Sequence, residues 1–397
     1  MKIDSNTRSV QLDPRETQFY SNPYPYYDRI RQAVPVFKWQ QYNHWCFARH
    51  EDVNALLRDR RFGRQILHVA SREELGMAEP EAHLKPFTDH EQHSLLELEP
   101  PVHTRLRGLI NRAFLARHIE RLRPIITSLS NRLIDGFEAS GEVDLLAAYA
   151  TPIPVIVICE LLGAPPDMAN QFLKWSHDHV SMYMARRDRA IEDQAVKSVL
   201  EFSAYMRGLI AEKRRQPKDD LLSQLAVANE LTENELVTTA ILILNAGHEA
   251  TVHSIGNGVK AMLERGLSGA ITPALIEEIL RFDAPLHMFT RYALEDLIFA
   301  DVKFKKGETV GLMLGAANHD PARFSSPKIF NPTREQNAHV SFGAGIHFCI
   351  GAPLARLEML IAFETLFARL PHLKMVRPPK FKDVYHFHGL EELRVAV

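Results

Sequence analysis

The sequence predicts a mainly α-helical chain with small β-sheets, an α+β fold organised as a single domain over residues 1–397. Three observations predict it. Helix-period apolar patterns run through residues 145–163, 168–213 and 232–265. Strand-like alternation is confined to short stretches near each end. No internal repeat or low-complexity linker divides the chain.

In chain order, "VFKWQQYNHWCFAR" (36–49) reads as a hairpin turning at Asn43. Residues 70–95 are polar and interrupted by Pro80 and Pro86, which predicts a mobile loop outside the core. "PPVHTRLRGLINRAF" begins with prolines and becomes amphipathic, so a helix starts near Val102. Thr232 and Glu235 have capping-box spacing, and Gly266 follows the last periodic residue. They delimit a helix of about 33 residues, roughly 50 Å long. "LIFADVKFKKGETVGLMLG" (297–315) predicts strands with a turn at Lys306–Gly307, and "VYHFHGLEELRVAV" pairs as strands at the end.

Composition narrows the function classes. The chain is 46% hydrophobic and 24% charged with formal net charge −2. That is enough apolar content for a large core, and near-neutrality gives no reason to expect nucleic acid. "MKIDSNTRSVQLDPRETQFY" holds no apolar run, which predicts neither signal peptide nor membrane anchor. Cys46, Cys159 and Cys349 are too few for a disulfide framework, so a reduced, cytoplasmic location is expected. The chain is expected to be a monomer.

The middle of the long helix, "ILNAGHEATVHSIGNG" (243–258), comes close to a zinc-protease motif and fails it on spacing. Such a motif places its histidines four residues apart on one helix face. His248 and His253 are five apart, about 140° around the helix, so one ion does not reach both. Gly247 and Glu249 still interrupt an apolar helix, which points to something lying against its midpoint.

The stretch that carries chemistry is "HVSFGAGIHFCIGAPLARLE" (339–358). Gly343, Gly345 and Gly351 surround Cys349, and Pro353 stands in the first turn of a helix running to about Leu370. A cysteine ahead of a helix N-terminus faces free N–H groups, which favours thiolate. The glycines admit a flat cofactor, and Phe342 can shield the sulfur. Thiolate is the ligand that pushes electron density onto haem iron. Cys46 and Cys159 have no such surroundings and are read as inert.

"FGAGIHFCIG" resembles the haem-binding signature F-x-x-G-x-[R/H]-x-C-x-G of the cytochrome P450 monooxygenases, matched at Phe342, Gly345, His347, Cys349 and Gly351. The resemblance covers nearly the whole chain. It implies the cytochrome P450 fold, with haem b between the long helix and the cysteine-loop helix and Cys349 as iron ligand. "EEILR" then supplies the family's E-x-x-R pair, Glu278 and Arg281, and "FNPTR" the second arginine of a structural triad, Arg334. His103, Arg107, Arg291 and His347 match positions that contact the haem propionates. "AGHEAT" resembles the oxygen-binding motif A-G-x-[D/E]-T. On that reading Ala246 and Gly247 are small to admit dioxygen, and Glu249 delivers protons through water in a local break of the helix.

One departure stands out. The family places threonine directly after the acid; here that residue is Ala250, and Thr251 lies about 100° further round. The replacement implies that a polar group of the substrate and an ordered water take the threonine's place, or that electrons couple poorly to product.

The resemblance further implies insertion of one oxygen atom from O2 into a mostly hydrophobic small molecule, by hydroxylation or epoxidation. No segment has room for a flavin reductase, so electrons are expected from a ferredoxin and its reductase. Arg105, Arg107, Arg112, Arg117, Arg121 and Arg123 face one acid, Glu120, and with Arg356 form a patch able to steer an acidic donor. The pocket is expected to draw on the 70–95 loop, Leu242, Asn245, Ala246, Glu249 and Ala250, then Leu286, Met288 and Phe289, and finally Phe387 and His388. His287 and Asn245 would orient a polar group. Two rivals remain: another haem-thiolate chemistry (peroxygenase, desaturation or oxidative coupling), against which Glu249 argues for the peroxygenase, and an inactive domain that only binds partners, against which the intact Cys349 argues.

Overall fold

The computed structural model describes every residue except 115–118, 184–186 and 268. The helix Glu233–Glu264 runs through the middle of the molecule. Its capping box forms as the spacing predicts: the Thr232 hydroxyl accepts the Glu235 N–H, and the Glu235 carboxylate accepts the Thr232 N–H at 2.9 Å. The helices Pro152–Leu162, Ala169–Val180, Arg189–Arg215 and Ala352–Arg369 pack against it. Their apolar faces merge into one large core, which explains why so long a helix is buried on most sides.

A seven-stranded sheet stands beside this helical body. Its spatial order is Lys2–Asp4, Ser9–Gln11, Val36–Trp39, His44–Phe47, Thr309–Leu312, Phe289–Ala293 and Phe62–Gly63. The expected hairpin is its centre, with Val36–Trp39 antiparallel to His44–Phe47 and Asn43 at a φ of 54°. Thr309–Leu312 joins it in parallel, placing Val310 opposite Trp45. The C-terminal strand Arg394–Ala396 pairs with Lys374–Met375 and with Glu142–Asp144. Cys46 and Cys159 are fully buried, and burial pushes both thiols up, to about 12 at Cys159.

Residues 70–95 differ from the sequence expectation. Lys85–Glu91 is a helix, with Pro86 in its first turn, where a missing N–H costs nothing. Phe87 anchors it among Met182, Ala195 and Val199, so this half of the stretch is packed. Among the described residues, no helix is long and apolar enough to cross a membrane.

Candidate active site

The cysteine loop is built by two left-handed glycines. Gly343 and Gly345 adopt φ of 68° and 69°, conformations that side chains disfavour. They let the chain double back, so that the Cys349 N–H donates to the Phe342 carbonyl at 2.9 Å. The helix Ala352–Arg369 follows at once, with Pro353 in its first turn. Phe342 is half-buried, with the Arg356 guanidinium 4.5 Å above its ring.

Cys349 is an exposed residue, alone among the three cysteines. The protein crowded around it nevertheless pushes its thiol up, against the N–H groups of Gly351 and Ala352 and the charges of Arg107 and Arg356. The helix terminus acts as the sequence predicts, but burial outweighs it. A metal at the sulfur would supply the missing charge, since a coordinating thiol is deprotonated outright.

Four cationic or nitrogen-bearing side chains gather near this loop. The His103 and His347 rings lie 4.3 Å apart, and Arg107 donates to the Phe348 carbonyl next to Cys349. His347 Nε2 is 3.2 Å from Glu99, which also receives the Arg64 N–H at 2.5 Å. Arg291 is 3% exposed and donates to the Thr290 carbonyl at 2.8 Å. Burial and the neighbouring Arg64 lower its pKa to about 9, opposed by Glu99 and Glu97. His103 is buried with neither ring nitrogen hydrogen-bonded. A buried guanidinium and a buried imidazole short of partners suit the two carboxylates of haem, so the residues fit the group. Glu97, Glu99 and Arg64 belong to no motif, and sequence reading missed them.

Opposite in character is the carboxylate of Glu278, which is saturated. It accepts Arg281 Nε and Nη2 at 2.8 and 2.7 Å, the Asn331 N–H at 2.8 Å, Asn337 Nδ2 at 3.1 Å and Arg334 Nε at 3.2 Å. Arg281 spends its remaining donors on the Asn318 and Pro327 carbonyls. Glu278 and Arg281 are both fully buried. The triad members therefore meet in space, fixing the segment 318–337 ahead of the cysteine loop.

The long helix departs from expectation at its midpoint. It is continuous from Glu233 to Glu264, with no local break. Thr251 donates back to the Gly247 carbonyl at 3.2 Å, and Ser254 to that of Ala250 at 2.8 Å, in keeping with an intact turn. A packing reason also keeps Gly247 small: a Cβ there would collide with Ile158 of the crossing helix Pro152–Leu162. Ala246 is exposed in the middle of this largely buried helix. His248 bonds the Leu244 carbonyl at 2.8 Å and its ring lies 5.8 Å from His177, so it takes no part with His253 in a metal pair.

Glu249 is held loosely. His253 Nε2 stands 3.7 Å away and Lys382 Nζ 3.9 Å, both beyond ordinary hydrogen-bond reach. Burial raises its pKa, but His253 and the Lys382 ammonium overcome that and hold it at about 2. The group is ionised at neutral pH. Lys382 comes from the C-terminal region, and no motif announced it.

The proposed pocket set divides. Leu242, Phe289, Leu286 and Phe387 are partly exposed, the last two bridged across two segments. Asn245 is buried with its amide oxygen unpartnered. Met288, His287 and His388 are corrected: Met288 packs in the core with Trp39 and Met313, and both histidines are at most 4% exposed. His287 Nδ1 bonds Tyr27 at 2.7 Å and His388 faces Asp283, so neither presents itself to a substrate.

The arginine patch is also corrected. Arg105 pairs with Glu235, Arg112 with Glu230, Arg121 with Asp219, Arg123 with Glu120 and Arg356 with Glu277. Most of these acids come from distant segments, invisible to a count along residues 105–123. Arg117 lies outside the described residues.

Comparison with known proteins fits this arrangement. The sequence description of cytochrome P450 matches residues 270–385, which hold Glu278, Arg281, Arg291, Arg334 and Cys349. Polyketide biosynthesis cytochrome P450 PksS of Bacillus subtilis is 34% identical, covering 98% of this chain and 99% of that protein. The vitamin D(3) 25-hydroxylase of Pseudonocardia autotrophica is 36% identical over 94% of this chain and 92% of its own. A solved structure of P450BioI, in complex with an acyl carrier protein bearing hexadec-9Z-enoic acid, superposes with a TM-score of 0.88 at 32% identity, covering 96% of this chain and all of that one. An accessible cysteine between left-handed glycines and a helix N-terminus, on a fold shared over almost its full length, means that this chain belongs to the cytochrome P450 family, whose members bind haem b through a cysteine thiolate and act as monooxygenases.

Proposed function

We propose that this monooxygenase hydroxylates or epoxidises a mostly hydrophobic small molecule, with Cys349 as the thiolate ligand of haem b and with electrons from a ferredoxin and its reductase. The carrying observation is the pairing of an exposed Cys349 in its glycine-built loop with an ionised, loosely held Glu249 on the helix packed against the cysteine helix. Haem, when bound, supplies the iron at which O2 is activated. Arg291, Arg107, His103 and His347 would hold its propionates by charge-assisted bonds.

Ala246 leaves room beside the long helix, and Leu242, Leu286, Phe289 and Phe387 supply apolar contact that holds a substrate and excludes water. The unpartnered Asn245 oxygen accepts a hydrogen bond from a polar group of the substrate. Glu249 takes up a proton at its carboxylate from the Lys382 side and releases it towards the pocket. Thr251 has turned its hydroxyl onto Gly247, so it leaves that task to Glu249 and to the substrate's own polar group.

The test is the absorption spectrum of dithionite-reduced protein under carbon monoxide. A strongly red-shifted Soret band, lost in Cys349→Ala, is expected; a protein that takes up no haem overturns the reading. For Ala250→Thr, the expected result is less peroxide released per product formed. No change in either quantity would overturn the reading that the Ala250 replacement implies either substrate assistance or poor coupling.

A further inference from the structure

Asp283, His287 and His388 are brought together by a short ladder between two remote turns. The His287 N–H donates to the His386 carbonyl at 3.1 Å, and the His388 N–H to that of Pro285 at 2.9 Å. Asp283 sits at the C-terminal end of the helix Pro273–Phe282, one turn before. All three side chains are buried, with exposures of 5%, 0% and 4%. None belongs to the groups assembled around Cys349.

Each offers one ligand atom, and these atoms lie within 4.8 Å of one another. His388 Nε2 and Asp283 Oδ1 are 3.2 Å apart. Zinc bonds of about 2.0–2.1 Å in a tetrahedron place neighbouring ligand atoms about 3.3 Å apart. That edge is already set, and the remaining ligand atoms, within 4.8 Å, have at most about 1.5 Å to close. The outer layer is also in place. The Tyr27 hydroxyl is 2.7 Å from His287 Nδ1, and the Tyr24 hydroxyl donates to Asp283 Oδ1 at 2.6 Å. Such partners fix the orientation of metal ligands. With Nδ1 so engaged, His287 Nε2 is left buried without a partner. A buried ring nitrogen without a hydrogen bond is costly unless something binds it.

We infer that Asp283, His287 and His388 form a binding site for a structural zinc ion, with a water as fourth ligand. Two imidazoles and one carboxylate suit zinc, whereas calcium and magnesium demand a shell of oxygens. The single carboxylate balances part of the charge, and Lys260 and Arg281 are the nearby cations. His319 faces the same cluster but is committed to the Phe282 carbonyl at 2.8 Å. The ion would tie the N-terminal helix Tyr24–Ala33 and the C-terminal loop to the end of the helix Pro273–Phe282. Because the ligands are buried, it would enter as the chain folds.

The test uses holoprotein expressed with added zinc and extensively dialysed. Metal analysis should find about one zinc per chain beside the haem iron, and zinc-edge X-ray absorption should show nitrogen and oxygen neighbours at about 2.0–2.1 Å. His388→Gln and His287→Gln should each lose the zinc while keeping the red-shifted carbon monoxide band. That band reports the haem site, so its failure is distinguishable from failure of the zinc site. Should both variants fail to fold, the zinc-edge spectrum of the unaltered protein decides. Holoprotein without zinc overturns the inference, as does zinc retained in both folded variants or an edge spectrum lacking imidazole.

Discussion

Glu278 and Glu249 are both carboxylates carried into the interior, and the difference between them separates what holds this protein together from what works in it. Glu278 accepts five hydrogen bonds from four residues, and both arginines among them are held in turn by backbone carbonyls. Glu249 has two neighbours at 3.7 and 3.9 Å and sits beside an exposed alanine. A saturated buried carboxylate is fixed, because any movement strands several donors at once. A carboxylate held by charge alone moves at small cost, which a proton carrier needs. Both groups have their pKa lowered against burial, by bonded arginines at Glu278 and by Lys382 and His253 at Glu249. The direction of the shift alone does not tell them apart; the bond count does.

The largest expected effect is at the saturated site. Glu278→Gln leaves Arg281 buried without its counter-charge, a loss of about 3–5 kcal/mol, and folded haem-containing protein should fall sharply in yield. If the variant melts like the parent, the contrast is broken. Glu249→Gln should do the reverse. Its melting temperature and haem content stay near those of the parent, while product formation drops by about 10²–10⁴. Loss of stability with unchanged turnover would exchange the two roles.

A third buried carboxyl sharpens the comparison. Glu358 is 1% exposed, its Oε1 has no partner, and burial raises its pKa well above the ordinary value. Burial favours its uncharged form, so Glu358→Gln should cost less than about 1 kcal/mol by thermal melting at pH 7. A cost like that of Glu278→Gln would mean that it carries a charge after all. The smallest effect lies at the surface. Arg112 and Glu230 are 69% and 48% exposed, so Arg112→Ala should change stability by no more than about 1 kcal/mol. Its effect on the electron donor's KM should also be small, because its charge is already paired.

How far the sequence carried depended on whether the information was local. The long helix was legible to within a residue or two because its capping box lies within four residues. The hairpin at Asn43 and the helix from Val102 were legible for the same reason. So was the cysteine loop, whose glycines, cysteine and proline follow one another directly. The helix at Lys85–Glu91 was missed because its support, Met182, Ala195 and Val199, lies about a hundred residues away.

Sequence by itself determined the fold class, the family and the side chains with reactive atoms, since spacing along the chain sets which residues share a turn or a helix face. Only the tertiary structure decided what those side chains meet. It turned Gly247 towards Ile158, paired the arginines of 105–123 with distant acids, and drew His287 and His388 away from the pocket towards Tyr27 and Asp283. The physical reason is that hydrogen bonds, ion pairs and packing act over a few ångströms in space, and the partners in each case are separated by tens to hundreds of residues along the chain.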